Sequence, residues 1–228
     1  MSEKIKDRNL SRIIKLKMCT SDINDIEEVE DISIQDINLM QNRLNIDLTE
    51  IVKLKNLRNL SLKFFEITDE VIETINRLEH IKRLEFSMCI FKNKIELSEK
   101  VQSVIIYNCQ DFNINMLNKN ASLEELQIIH SGIVDISNIK KFKKVKYLKI
   151  AHCNVISIPS ITALENLEQL YLNHLEIPYD IDISEMPNLK FISLSGSNVS
   201  NKEKYIEKLH KQNEKVTIEF KEDDLPIV

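Results

Sequence analysis

The sequence predicts one α/β domain, a repeat solenoid with a parallel β-sheet on its concave side. One apolar pattern recurs along the chain, and its last five copies begin at Val101, Leu123, Val145, Leu167 and Leu189, each 22 residues after the one before. The segments between copies carry an apolar residue at every third position, which suits short 3₁₀ turns of three residues. Because no single unit can bury its own apolar face, the units are expected to stack on one continuous core.

The copies place apolar residues at positions 1, 4 and 6, most of them place another at position 11, and most have a small or polar residue at position 9. In the unit that begins at Leu123, these positions hold Leu126, Ile128, Ser131 and Ile133. Successive residues of a strand point to opposite faces of a sheet. The apolar positions, Ile133 included, are therefore expected to face the core, and the residues interleaved with positions 4 and 6 are expected to face solvent.

The regular pattern weakens toward the N-terminus. One further unit is formed by Val29, Ile32, Ile34, Ile37 and Leu39. An irregular first unit that consists of Ile13, Leu16, Met18 and Ile23 stays open as an interpretation. The unit that begins at Leu57 has 24 residues, and its apolar residues at helical spacing predict a short helix; they are Val71, Ile72, Ile75 and Leu78.

The C-terminal end of the pattern is predicted to be closed by a helix and a strand. An amphipathic helix near 201–212 would turn Tyr205, Ile206 and Leu209 inward, and Val216, Ile218 and Phe220 follow as a strand. The predicted organisation is an N-terminal cap or irregular first repeat at 1–28, repeats at 29–200, and a C-terminal cap and tail at 201–228.

The repeating frame resembles the leucine-rich-repeat family, in the 22-residue class of bacterial internalins and of a regulatory subunit of a Ser/Thr phosphatase. The resemblance covers nearly the whole chain. It implies a right-handed, horseshoe-shaped solenoid with a concave parallel sheet and a convex side of short 3₁₀ turns and an occasional helix. It also implies that Cys89, Cys109 and Cys153, at position 9, turn inward and bond the neighbouring turn's backbone, so we expect a packing role for these thiols.

Composition excludes several classes of protein. The chain has two glycines, Gly132 and Gly196. It therefore contains neither a glycine-rich dinucleotide-binding motif nor a P-loop. A formal net charge of −5 argues against a dedicated nucleic-acid binder. No secretory signal and no membrane span is recognised, and the four cysteines contain no CxxC pair. We expect a cytoplasmic protein, with a nuclear location as the alternative.

No catalytic motif stands out in the sequence. It contains neither HExxH nor GxSxG, and no set of residues has metal-ligand spacing. His152 precedes Cys153, but the frame turns the thiol inward and the imidazole outward, so the two cannot act as a base and a nucleophile. We therefore expect no enzymatic activity, no cofactor and no metal.

The concave face carries the candidate binding site. Apolar and aromatic residues at its solvent-facing positions are expected to form one exposed patch, because aromatic rings dominate protein-binding surfaces. The members of this patch are Ile105, Tyr107, Ile129, Tyr147, Tyr171 and Phe191. Lys149 lies on the same face. The competing interpretation is that such residues simply suit a pleated sheet.

A histidine column is expected at the rim of this patch. His130, His152 and His174 are spaced by 22 residues, so they occupy one position in three successive units. Three interpretations stay open. The column is a by-product of repeat duplication, a binding surface that responds to pH because histidine titrates near pH 6.5, or part of a zinc site.

The sequence thus predicts a protein–protein interaction module that binds a partner protein on its concave face, as a regulatory or scaffold subunit. The alternative is a host-interacting effector or adhesion protein of a parasite or pathogen. A third hypothesis is a lysine-driven binder of nucleic acid or phosphoinositide. The net negative charge argues against it, because nucleic-acid-binding domains are usually basic. This hypothesis depends on one basic run: Lys140, Lys141, Lys143, Lys144, Lys146 and Lys149.

Overall fold

The computed structural model describes residues 5–18, 28–35, 46–120, 122–177 and 181–221. The helices in these ranges are α1 (Arg8–Met18), α2 (Asp69–Arg77) and α3 (Lys202–Gln212). The strands are β1 (Asp31–Gln35), β2 (Asn59–Lys63), β3 (Glu66–Ile67), β4 (Arg83–Ser87), β5 (Ile90–Phe91), β6 (Ser103–Tyr107), β7 (Glu125–Ile129), β8 (Ile133–Asp135), β9 (Tyr147–Ala151), β10 (Asn154–Ile156), β11 (Gln169–Asn173), β12 (Glu176–Ile177), β13 (Phe191–Ser193), β14 (Asn198–Val199) and β15 (Thr217–Glu219).

One parallel sheet of nine strands organises the described part of the chain, in the order β1-β2-β4-β6-β7-β9-β11-β13-β15. The spatial order follows the chain order, so each unit adds one strand beside the preceding one. Short parallel pairs, β3–β5, β8–β10 and β12–β14, form a lateral side. The connections contain 3₁₀ turns at Leu48–Lys53, Ile114–Met116, Ile139–Lys141 and Ile158–Ala163. The predicted α/β solenoid is therefore confirmed.

The core fills the space between the sheet and the 3₁₀ turns. Leu148 and Ile150, at positions 4 and 6 of their unit, are fully buried, and Phe142 from the adjacent turn is buried with them. Phe91 packs edge-on against both Phe86 and Phe112, with ring centroids 5.4 Å apart in each pair. The alternating apolar residues of the strands and the apolar residues at every third position of the turns thus pack into one core, as the frame predicts.

Position 9 links successive units through the backbone. The amide of Cys89 donates to Cys109 Sγ at 3.3 Å, the amide of Cys109 to Ser131 Oγ at 3.3 Å, and the amide of Ser131 to Cys153 Sγ at 3.4 Å. The three cysteines are buried, and burial raises the pKa of the Cys153 thiol. Their predicted inward orientation is confirmed. Cys109 and Cys153 supply acceptors to backbone amides that would otherwise be buried without partners, and Cys89 Sγ donates to the Leu62 carbonyl at 3.3 Å.

The first described element is helix α1. Ile13, Leu16 and Met18 therefore belong to a helix and do not form the strand of an irregular first repeat. Asp7 caps α1, since its Oδ1 accepts the Leu10 amide at 2.7 Å. The helix buries Leu10 and its i+4 neighbour Ile14 and lies against β1. Leu16 is 70% exposed, because the helical period places it on the outer face. The other predicted members of the N-terminal units, Ile23, Ile37 and Leu39, lie outside the described residues.

The two predicted helices and the closing strand are confirmed. Helix α2 buries Ile72 and Ile75, and α3 buries Tyr205 and Leu209 while Ile206 is half-buried. Strand β15 pairs in parallel with β13 and ends the described sheet. None of the helices in the described ranges is long and apolar enough to cross a membrane.

Candidate functional site: the concave face

The concave face consists of the first, third and fifth residues of each long strand, which the parallel register aligns in rows. From β4 to β13, the first row is Arg83, Ser103, Glu125, Tyr147, Gln169 and Phe191. The middle row is Glu85, Ile105, Gln127, Lys149, Tyr171 and Ser193. From β4 to β11, the third row is Ser87, Tyr107, Ile129, Ala151 and Asn173.

Three rings form an aromatic cluster on strands β9, β11 and β13. The ring centroids of Tyr147 and Tyr171 are 5.0 Å apart, and those of Tyr171 and Phe191 are 5.2 Å apart. All three side chains are half-buried. The register explains the contacts, because neighbouring strands lie roughly 4.8 Å apart and Tyr171 stands diagonally between the two first-row rings. The aromatic cluster, defined as Tyr147, Tyr171 and Phe191, is a continuous ring surface that faces solvent.

The tyrosine hydroxyls give this cluster a polar margin. Tyr171 Oη lies 3.3 Å from Gln169 Oε1, to which it donates. Burial, together with the neighbouring Tyr171 and Glu125, raises the pKa of Tyr147 to about 12. The Tyr147 hydroxyl is therefore a neutral hydrogen-bond donor at any physiological pH.

We expect the Tyr147 phenol to ionise about two pH units later than an ordinary tyrosine. An unfolded tyrosine loses its proton near pH 10 and folded Tyr147 near 12, so the unfolded chain binds fewer protons in this window and the folded state loses stability as pH rises through it. Phenolate absorbance of wild type minus Tyr147→Phe should show this late titration. A difference signal centred near pH 10 would contradict the placement of Tyr147.

A polar network crosses the first row beside the aromatic cluster. Arg83 Nη1 donates to Glu125 Oε2 at 2.7 Å and to Ser103 Oγ at 3.2 Å, and Ser103 Oγ donates to the same carboxylate oxygen at 2.6 Å. Sequence reasoning missed this network. Its signal was present, because Arg83 and Glu125 share a row and are separated by one small residue, Ser103.

The prediction that Ile105 belongs to an exposed patch is wrong. Ile105 is only 9% exposed, although it lies on the concave face. Its register neighbours in the middle row are Glu85 and Gln127, whose longer side chains flank it, and Gln127 is held in place by a hydrogen bond to Glu125. Curvature brings concave side chains together, so a short aliphatic residue between two long ones is covered.

Tyr107 and Ile129 lie in the third row and contribute to a different surface. Tyr107 is 38% exposed and packs edge-on against His130, with ring centroids 5.7 Å apart. Ile129 is half-buried. The single predicted patch is therefore two surfaces, the aromatic cluster and a rim formed by Tyr107 with the histidine column.

The histidine column is a stack of parallel rings. The centroids of His130 and His152 are 4.2 Å apart with the ring planes 10° from parallel, and those of His152 and His174 are 3.9 Å apart at 13°. All three residues have left-handed backbone, with φ of 53°, 52° and 54°. Asn108 holds the same position one unit earlier with φ of 52°. Histidine and asparagine are enriched in this conformation, so the backbone favours the residue type.

The face-to-face geometry of the stack does not suit a metal site, because zinc needs ring nitrogens that converge on one point. In the described portion of the chain, no group of three or more His, Cys, Asp or Glu side chains is placed to hold a metal ion. Repeat duplication, at a position where the backbone favours histidine, and a binding role remain as explanations of the column.

The lysines of the basic run make different contacts in the structure. Lys141 is half-buried and donates to the Ile114 and Leu117 carbonyls at 2.9 and 2.6 Å, and burial lowers its pKa. Lys146 pairs with Glu124 at 2.9 Å. Lys141 is therefore not one of the exposed lysines of the run. Only part of the run faces solvent freely, which weakens the case for a polyanion-binding surface.

One apolar surface was not predicted. Ile133 is 62% exposed and Ile156 is 50% exposed, on the lateral strands β8 and β10. Ile133, at position 11 of its unit, pairs with Asn154 at position 10 of the next unit. The lateral strand that follows Gly132, whose φ is 69°, is thus displaced by one residue, and Val134 rather than Ile133 pairs with Val155. The expectation that Ile133 faces the core is wrong, and Val134 is buried in its place.

Comparisons with solved structures agree with this architecture. Internalin C2 from Listeria monocytogenes superposes with a TM-score of 0.62 at 19% identity, over 94% of this chain and 93% of that one. A TLR13–ssRNA13 complex gives 0.63 at 15% identity, over 86% of this chain but only 29% of that chain. No family model and no curated protein matches the sequence. At these identities the comparison concerns the fold alone, and this chain has the fold of a leucine-rich-repeat solenoid.

Proposed function

We propose that this chain is a protein–protein interaction module that docks a partner protein on the aromatic cluster. The observation that carries the proposal is the contact of Tyr147, Tyr171 and Phe191 on one solvent-facing sheet. Half-buried aromatic rings present large area at low cost in side-chain entropy, and such rings dominate measured binding energies. Because a hydrogen-bonded sheet fixes the rings beforehand, little ordering entropy is lost on binding.

We propose a regulatory or scaffold role as the specific form of this function, because the concave surface offers recognition groups to a partner. The cysteines Cys89, Cys109 and Cys153 are unpaired and buried, which suits a reducing compartment, so we place the protein in the cytoplasm, with the nucleus as the alternative. The similarity of fold to an internalin favours a second candidate, a host-interacting effector or adhesion protein.

Affinity capture tests the proposal. The intact protein and a Tyr147→Ala, Tyr171→Ala double variant are immobilised at equal density, and the proteins that each retains from an extract of the source cells are quantified by mass spectrometry. We expect at least one abundant partner to be lost from the double variant, whose fold is checked by circular dichroism. A partner retained equally by both proteins places the binding site off the aromatic cluster.

The histidine column supplies a separate test. If the partner also covers the stacked rings, which lie 3.9 and 4.2 Å apart, replacing His130, His152 and His174 with asparagine should weaken binding, because the ring contacts are lost. Asn108 shows that asparagine is compatible with this backbone. Unchanged affinity of the asparagine variant, measured by calorimetry, would remove the column from the interface.

A further inference from the structure

Lys149 differs from Arg83, the other basic residue in the first and middle rows from β4 to β13. It occupies the middle row at half-buried depth and, within the residues that the structure describes, no hydrogen bond or ion pair reaches its ammonium group. In the first row, Arg83 is held by Glu125. At the end of the strands, Lys146 pairs with Glu124 and Lys190 with Glu168. Lys149 is thus a cation that the fold leaves unsatisfied.

The side chains directly beside Lys149 are neutral, and Glu125, which lies diagonally across the register on β7, is paired with Arg83. The register neighbours of Lys149 are Gln127 and Tyr171, and Tyr147 lies two residues earlier on the same strand and face. The Tyr147 hydroxyl keeps its proton well above physiological pH, so no phenolate competes for the ammonium group. A partly desolvated charge without a partner is costly, and a carboxylate placed there would form a strong charge-assisted hydrogen bond.

We propose that the partner presents an aspartate or glutamate side chain to Lys149 and an adjacent large apolar side chain to the aromatic cluster. This inference rests on the proposed function and adds the chemistry of the partner. The charge count favours a carboxylate over a phosphate. Among first- and middle-row residues from β4 to β13, the other cation is Arg83, and Glu125 already neutralises it, so one positive charge is available for one negative charge.

A peptide-display selection tests the inference without a known partner. Random peptides are selected on the intact protein, and individual synthetic peptides are then measured against three variants. Lys149→Gln removes the proposed contact, and Lys144→Gln is the matched control, since it removes the same charge from an exposed lysine off the concave face. The Tyr147→Ala, Tyr171→Ala variant tests the aromatic cluster separately.

We expect the selected peptides to be enriched in an acidic residue next to a large apolar one. Lys149→Gln should weaken a selected peptide about tenfold or more, and Lys144→Gln should change it by less than about twofold. Converting the peptide's acid to its amide should weaken binding to wild type but not to Lys149→Gln. Replacing that acid with phosphoserine should give no gain in affinity.

The outcomes separate the two proposals. Peptides that need the tyrosines but show no acidic enrichment, or that bind Lys149→Gln as well as wild type, overturn the inference and leave the proposed function standing. A clear gain from phosphoserine also overturns it, because the site would then accept a dianion. Peptides that ignore the tyrosine substitutions, or a selection that yields no binder, count against the proposed function itself.

Discussion

Replacing Phe142 with alanine is expected to lower the free energy of unfolding by about 3–5 kcal/mol, the range for a large ring removed from a packed core. Phe142 is fully buried between the sheet and the 3₁₀ turn that precedes it. The cavity would open in the middle of the solenoid, where both adjacent units contribute to the same core. Equilibrium unfolding in urea measures the loss.

Two variants control for effects other than the cavity. Phe142→Leu keeps most of the apolar volume, so we expect a clearly smaller loss. Ile133→Ala truncates a side chain of the same unit that is 62% exposed, and we expect a change within about 0.5 kcal/mol. Equal destabilisation by Phe142→Ala and Ile133→Ala would mean that the convex frame residues do not form the core.

The second large effect is expected at Ser197, which joins two units by hydrogen bonds. Its Oγ accepts the Leu175 amide at 2.9 Å and donates to the Leu172 carbonyl at 2.7 Å. Ser197→Ala leaves a buried amide without its partner, which costs about 1–3 kcal/mol, and it removes a donor as well. We expect a loss of about 2–3 kcal/mol in urea unfolding.

Ser197→Cys is the matched variant, because cysteine fills the same position in other units. Cys153 Sγ accepts the Ser131 amide at 3.4 Å and donates to the Ala151 carbonyl at 3.2 Å. We expect Ser197→Cys to keep most of the stability that Ser197→Ala loses. If the two variants unfold alike, hydrogen bonding at position 9 is not what joins the units.

The repeating part of the fold was predictable because the same burial pattern recurs in every unit. A 22-residue apolar frame determines which residues of each strand face the core, and Leu148 and Ile150 are buried as the frame requires. The short helix α2 was predictable for the same reason, since its apolar residues change to helical spacing. Position 9 was readable from the resemblance, as Cys109 shows by accepting the Cys89 amide.

The failures occur where a local feature interrupts the repeat. At Gly132, which has a positive φ, the lateral strand is displaced by one residue relative to the next unit, so Ile133 turns outward in a way that strict periodicity cannot foresee. Helix α1 lies before the periodic region, where a few apolar residues fit a strand and a helix equally well. Ile105 is on the predicted face but covered, because exposure depends on the length of the neighbouring side chains.

The candidate site was predictable in composition but not in connectivity. Frame alternation placed Tyr147, Tyr171 and Phe191 on the concave face, and the rings are in contact there. Their separation from Tyr107 depends on the row that each residue occupies. Among the described residues, no acidic side chain pairs with Lys149. The sequence alone does not show this, because it depends on the direction of each acidic side chain on the neighbouring strands.

The measurement that tests the central claim most directly compares two double variants in their affinity for one captured partner. Tyr147→Ala, Tyr171→Ala removes the concave rings, and Ile133→Ala, Ile156→Ala removes the exposed lateral residues of neighbouring units. With hot-spot rings contributing about 2 kcal/mol or more each, calorimetry should show the concave variant weakened about 100-fold or more and the lateral variant weakened by less than about twofold. Loss of binding in the lateral variant alone would contradict a binding site on the concave face.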